Sequence, residues 1–165
     1  MRQIKLSGRG GKYVALVDDA DYALVAPYTW KAFRNTTKTV IYAAYRKRVA
    51  GPDGQTKRQW VKMHRLILGF PPYHIDHKNH DGLDNQRHNL RPATAAQNRT
   101  NARLRPNKVG FRGVSAKKGS TFTASITAGG VVHYLGSFPR ADLAGQAYDA
   151  AAMKLHGEFA TLNFQ

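Results

Sequence analysis

The chain runs for 165 residues without a single cysteine. Disulfides, thiolate nucleophiles and cysteine-held zinc are therefore excluded, and any metal must be bound by oxygen or imidazole. Each folding unit has to be held by its own small apolar core. The length suits one or two compact domains. The longest apolar stretches, Tyr13 to Val17 and Leu66 to Phe70, fall far short of the roughly 20 residues that span a bilayer. Met1-Arg2-Gln3 opens no signal-peptide pattern. A soluble, intracellular protein with no membrane partner is expected.

Charge then narrows the partner. There are 26 Lys and Arg against 10 Asp and Glu, spread along the chain rather than gathered in a tail. Such a balance points to a folded surface that faces a polyanion. With Tyr, Phe and Trp interleaved among the basic residues, the expected polyanion is nucleic acid.

Turn residues divide the first part of the chain into short strands over Gln3 to Leu6, Tyr13 to Val17 and Thr39 to Arg46. A short helix is predicted within Asp19 to Tyr28, between an acidic start and Pro27. Gly8, Gly10 and Gly11 around Arg9 lack the Lys-Ser/Thr ending of a nucleotide loop and are read as a hairpin turn. Leu104 to Lys108, with Pro106, is the linker candidate. Beyond it come strand-like runs at Phe111 to Ser115, Thr121 to Thr127 and Val131 to Phe138. A helix is predicted from Arg140 to His156, stopped by Gly157.

The chemistry concentrates between these halves. Asp76 and His77 are adjacent at the end of a predicted strand, Asn89 begins a second strand, and Asn98 lies on a helix that Thr94 is expected to cap. Neighbouring side chains of a regular strand point to opposite faces, so Asp76 and His77 share a site only at a strand end or bulge. Hydrolysis of a phosphodiester needs an activated water, charge neutralisation at phosphorus and help for the leaving oxygen. A neutral histidine accepts a proton at physiological pH, which makes His77 the candidate base. A carboxylate and an amide oxygen suit Mg²⁺, so Asp76 and Asn98 are the candidate ligands. Asn89 is the candidate orienting residue, holding the imidazole or its loop. His64, His74, His80 and His88 form no zinc-ligand pair. A calcium loop fails at Lys78, where a ligand should stand.

Met63-His64-Arg65-Leu66-Ile67, Asp76-His77-Lys78-Asn79, Asn89-Leu90-Arg91 and Gln97-Asn98 together resemble the His-Asn-His (HNH) endonucleases, most closely the phage and intron-encoded homing group whose third motif residue is Asn. The resemblance implies a ββα-metal finger over about residues 63–103, with His77 as general base, Asp76 and Asn98 as metal ligands and Asn89 as orienting residue. It implies Mg²⁺ as cofactor, with Mn²⁺ able to substitute, and no small-molecule cofactor. The run from Val14 to Asp19 resembles the start of such phage proteins, which makes residues 1–103 one expected unit. Arg65, Arg91 and Arg99 are the candidate phosphate clamps.

In the last third, Phe122, Ala124 and Ile126 alternate with Thr121, Thr123, Ser125 and Thr127, the pattern of a strand buried on one face. Ala144, Ala147, Tyr148, Ala151, Ala152 and Leu155 recur at helical spacing and can cover such a sheet. Arg112-Gly113-Val114, Tyr134 to Phe138, Ala147 to Ala151 and Leu162-Asn163-Phe164 resemble the ethylene-response-factor (Apetala-two type) DNA-binding domain. That resemblance implies base or backbone contacts from Arg112, Lys117 and Tyr134. Ser115, Ser125 and Thr127 depart from charged positions of the plant proteins, so the plant target sequence does not transfer.

The expected fold class is thus α+β: a β-rich N-terminal segment joined to a ββα-metal finger, a linker at 104–109, then a three-stranded antiparallel sheet packed on one helix over 110–165. The expected function is Mg²⁺-dependent endonuclease action on double-stranded DNA, nicking one strand per active site as a monomer or weak dimer. The alternative is a non-catalytic, sequence-specific DNA-binding regulator. RNA suits a major-groove sheet less well.

Overall fold

The computed structural model describes residues 1–8, 12–34, 40–51, 55–102 and 107–164. The turn expected around Arg9 to Gly11 and the Leu104 to Pro106 part of the expected linker lie outside them. The chain divides into two compact units, Met1–Thr94 and Ala95–Gln165. The division falls ahead of the expected boundary and assigns the helix that carries Asn98 to the second unit. No helix among the described residues is long and apolar enough to cross a membrane.

The first unit opens with the antiparallel pair β1 (Arg2–Lys5) and β2 (Val14–Val17), followed by α1 (Asp19–Val25). Next come β3 (Lys31–Arg34), β4 (Ile41–Ala50) and β5 (Thr56–Lys62), an antiparallel sheet in that order. The short helix α2 (Met63–Ile67) leads to the pair β6 (His74–His77) and β7 (Leu90–Ala93). β3 and β5 were not anticipated: Thr56 to Lys62 is mostly polar and basic, without the alternation that marks a half-buried strand.

One core joins these pieces. Leu6, Ala15, Val17, Val25, Trp30, Ala43, Met63, Ile67 and Leu90 form it. Trp30 is its largest member, and its indole N–H donates to the Val25 carbonyl at 2.8 Å, so burial leaves no polar orphan there. Polar stitching then ties α1 to the loop ahead of β7. Arg87 pairs with Asp21 at 2.7 Å and also donates to the Ile67 carbonyl. The Arg87 backbone N–H donates to Asp18 at 2.8 Å, the largest of the effects that lower the Asp18 pKa. The same loop adds to β2, through Leu16 N–H to Leu83 O and Asn85 N–H to Leu16 O, both at 2.8 Å.

The second unit begins with α3 (Ala95–Thr100) and continues with β8 (Val114–Lys117), β9 (Thr121–Ala128) and β10 (Val131–Phe138). The three strands form an antiparallel sheet with β9 in the middle. Helix α4 (Ala141–His156) lies against it. Its Ala144 packs with Val114 and Ala124, and its Tyr148 and Ala152 pack with Ile126. Gly113, at φ +71°, is required: a Cβ there would collide with the Tyr148 ring. Asn163 and the buried Asp149 close the end of the unit. The Asp149 carboxylate accepts the backbone N–H groups of Asn163 and Phe164, while Asn163 Oδ1 accepts the Arg112 N–H at 2.6 Å.

Candidate functional site

His77 is the last residue of β6, and the β6–β7 ladder runs without a register shift, so it is a strand end rather than a bulge that frees its geometry. Both Asp76 and His77 are buried, at 7% and 6% exposure. The register sets Asp76 directly opposite Arg91. Arg91 Nε donates to Asp76 Oδ2 at 2.8 Å, and Nη2 of the same guanidinium lies 2.8 Å from that oxygen. Arg91 was expected to clamp phosphate; cross-strand pairing instead encloses it against the carboxylate.

Around His77 stand two residues that the motif did not single out as functional. The His64 ring meets it edge-on at 4.9 Å between centroids, and Tyr42 lies 5.8 Å from His77 and 5.5 Å from His64. Burial is the largest cause that lowers the His77 pKa below its ordinary value, opposed by the charge of Asp76 and by Asn85, Asp81 and Asp84. His64 is held well below its ordinary value, first by burial and then by His77, Lys62 and Arg65. Both rings are therefore neutral at pH 7. Burial also raises the Tyr42 pKa, with Asp76 adding to the effect.

Asn89 holds the loop that follows His77. Its Oδ1 accepts the Asn79 N–H at 3.0 Å, and its Nδ2 donates to Asn79 Oδ1 at 3.0 Å and to the Asp84 carbonyl at 2.8 Å. Its own carbonyl accepts the Lys78 N–H at 3.0 Å. Asn79 in turn donates to Asp84 Oδ2 at 2.8 Å. These side-chain hydrogen bonds of Asn89 thus tie the loop rather than the imidazole. The density of Asn and Asp between residues 79 and 89 was the sequence signal for this network. Gly82 lets the loop approach β4, where a Cβ would strike the Ile41 carbonyl and the Tyr42 ring.

The other candidates stand on several elements. Asn98 stands half-buried on α3, in the second unit. Arg65 donates from its guanidinium to the Pro71 and Tyr73 carbonyls, pinning the approach to β6. Arg99 is exposed on α3. Arg112 donates to the Ala102 carbonyl at 3.2 Å and lines a cleft of about 670 Å³ with Arg99, Tyr148 and His156. Lys117 and Tyr134 are exposed on β8 and β10, and the Tyr134 hydroxyl shares a 2.7 Å hydrogen bond with Ser137 Oγ.

Among the described residues no three His, Cys, Asp or Glu side chains cluster as a metal cage. What the first unit offers is one buried carboxylate already balanced by a guanidinium. That donor chemistry does not fit zinc, but it fits a hard cation that keeps most of its waters and takes further oxygen from an amide and from phosphate.

Comparison with known proteins agrees with the chemistry at a coarse level. No family model matches the chain. It is 37% identical over 110 residues to a protein of Acanthamoeba polyphaga mimivirus named as an uncharacterized HNH endonuclease, over 62% of this chain and 57% of that protein. The chain thus spans little more than half the length of the curated relative, and that likeness agrees with the HNH resemblance.

Proposed function

We propose that the protein is a metal-dependent DNA endonuclease that hydrolyses phosphodiester bonds and nicks one strand per active site, in the manner of phage and homing enzymes. The observation that carries the reading is the buried, neutral His77 beside Asp76 at a strand end, with its loop tied by Asn89. The mimivirus relative's name supports the same class.

In this reading His77 accepts a proton from the attacking water, which its lowered pKa leaves it free to do at neutral pH. Arg91 holds the Asp76 carboxylate in a fixed position. Asn89 keeps the following loop, and with it the end of β6, in one geometry. Asp76 and Asn98 are the residues that would hold Mg²⁺ or Mn²⁺. When bound, the ion supplies charge neutralisation at phosphorus and at the leaving 3′ oxygen. The products are then a 5′ phosphate and a 3′ hydroxyl. The second unit grips DNA through an ethylene-response-factor-like sheet, with Lys117 and Tyr134 on exposed strands. The protein acts in the cytoplasm as a monomer or weak dimer, without a small-molecule cofactor.

Two observations favour a second reading, a non-catalytic DNA-binding regulator: Asp76 is already engaged by Arg91, and His77 is almost wholly enclosed. Supercoiled plasmid incubated with Mg²⁺ and with EDTA separates the two. Nicking that needs the metal and disappears in His77→Ala supports the nuclease. Tight binding with no nick in either condition overturns it.

A further inference from the structure

Beyond Tyr42, which stands beside His77, the face of the β3–β4–β5 sheet turned away from the core remains without a role. Side chains alternate along a strand, and the register pairs Phe33 with Tyr42, Arg46 with Trp60 and Arg48 with Arg58, which sets these residues on one face. Ala32, Ala43 and Tyr45 belong to the opposite face and pack into the core. Arg46, Arg48 and Arg58 are exposed, and none has an ion-pair partner among the described residues. No carboxylate occurs in any of the three strands.

The rings on this face hold cations rather than stand open. The Arg46 guanidinium lies 4.8 Å from the Trp60 centroid, and the Lys62 ammonium lies 4.6 Å from that of Tyr42 and 6.0 Å from that of Phe33. Phe33 and Trp60 pack at 5.3 Å. Cation–π contact fixes the positive charges in place and occupies ring faces on which unpaired bases would stack. The row is also directional. From Arg48 through Arg46 it reaches Tyr42, whose ring lies 5.8 Å from His77. At about 3.3 Å per residue, Arg48 to Tyr42 covers roughly 20 Å, the axial length of about six base pairs.

We propose that this face is a docking surface for duplex DNA, gripping the phosphate backbone and leading it towards His77. Charge complementarity carries the choice of occupant: fixed cations without a carboxylate fit a regular row of phosphates. The direction of the track rests on the nuclease reading; the binding itself does not.

The test is fluorescence anisotropy with a labelled duplex of about 30 base pairs, in EDTA and in the His77→Ala background so that nothing is cut. Each phosphate contact contributes about 0.9 to the slope of log K against log salt. Replacing Arg46, Arg48 and Arg58 by Gln should flatten that slope by about 2.7. Between 50 and 200 mM salt the parent should then lose about 40-fold more affinity than the triple variant. Arg48→Gln and Arg58→Gln singly, each lowering the slope by about 0.9, provide the same reading if the triple variant folds poorly. An unchanged slope in folded variants overturns the proposal, as does preference for single-stranded DNA over the duplex. A parent that never nicks plasmid while the slope falls defeats the nuclease reading and leaves this surface standing. Nicking with an unchanged slope does the reverse.

Discussion

Removing Arg91 is the sharpest test of how the site is built. The side chains of Arg91 and Asp76 are 8% and 9% exposed, and the guanidinium contacts Asp76 Oδ2 through both Nε and Nη2. In Arg91→Met the carboxylate would remain enclosed without its counter-charge, which costs about 3 to 5 kcal/mol. For a unit of 60 to 100 residues, each kcal/mol moves the melting temperature by roughly 4 to 8 °C, so a fall of at least about 12 °C is expected. Both tryptophans, Trp30 and Trp60, lie in the first unit, so intrinsic tryptophan fluorescence during thermal unfolding reports on that unit. The partner variant Asp76→Leu and the double variant complete a thermodynamic cycle. Replacing a buried pair by apolar groups is often close to neutral, so the double variant should recover most of the loss. A single-variant cost under about 1 kcal/mol, or strictly additive single costs, would show a solvated pair with no coupling and refute the reasoning.

Three further outcomes follow from the same geometry. His64 and His77 are depressed chiefly by burial, so the unfolded chain takes up protons first as pH falls below about 6.5, and stability should drop by up to about 1.4 kcal/mol per pH unit for each ring. Urea titrations between about pH 7.5 and 5.5 read this; the slope should lessen in His64→Phe, and a flat profile in the parent would count against buried neutral rings. Asn89→Ala removes the acceptor for the Asn79 N–H and the donor to the Asp84 carbonyl, and a loss of about 1 to 3 kcal/mol is expected by tryptophan-monitored denaturation. No change in stability would mean that water replaces both bonds. Asn163→Ala removes the bonds that tie Asp149 and Arg112 together, and far-UV circular dichroism should show the second unit weakened by a similar amount. An unaltered second-unit transition would contradict that clamp.

Local patterns were readable where a strand or helix writes its own periodicity. The alternation from Phe122 to Ile126 places β9 at Thr121–Ala128, and the apolar stripe through Ala144, Tyr148 and Ala152 lies on α4, Ala141–His156, within the span predicted for it. β5 was not readable, because Thr56 to Lys62 sits largely outside the core and so carries no hydrophobic signature. The pairing of Arg91 with Asp76 was not readable, because the two stand 15 residues apart and meet only across the ladder. That pairing depends on register, which no single segment encodes.

The order of residues sets the chemical inventory: no thiol, a surplus of cations, and Asp76, His77, Asn89 and Asn98 in one order along the chain. Residue identity sets which protons and charges each group can carry, whatever the fold. Folding in three dimensions sets which of those groups are buried, what neutralises them and what stands beside them. Only there does Arg91 meet Asp76, do His64 and Tyr42 enclose His77, and do Arg46 and Lys62 come to rest on aromatic rings. Burial and distance govern the strength of each such interaction, and both arise from contacts between segments remote in the chain.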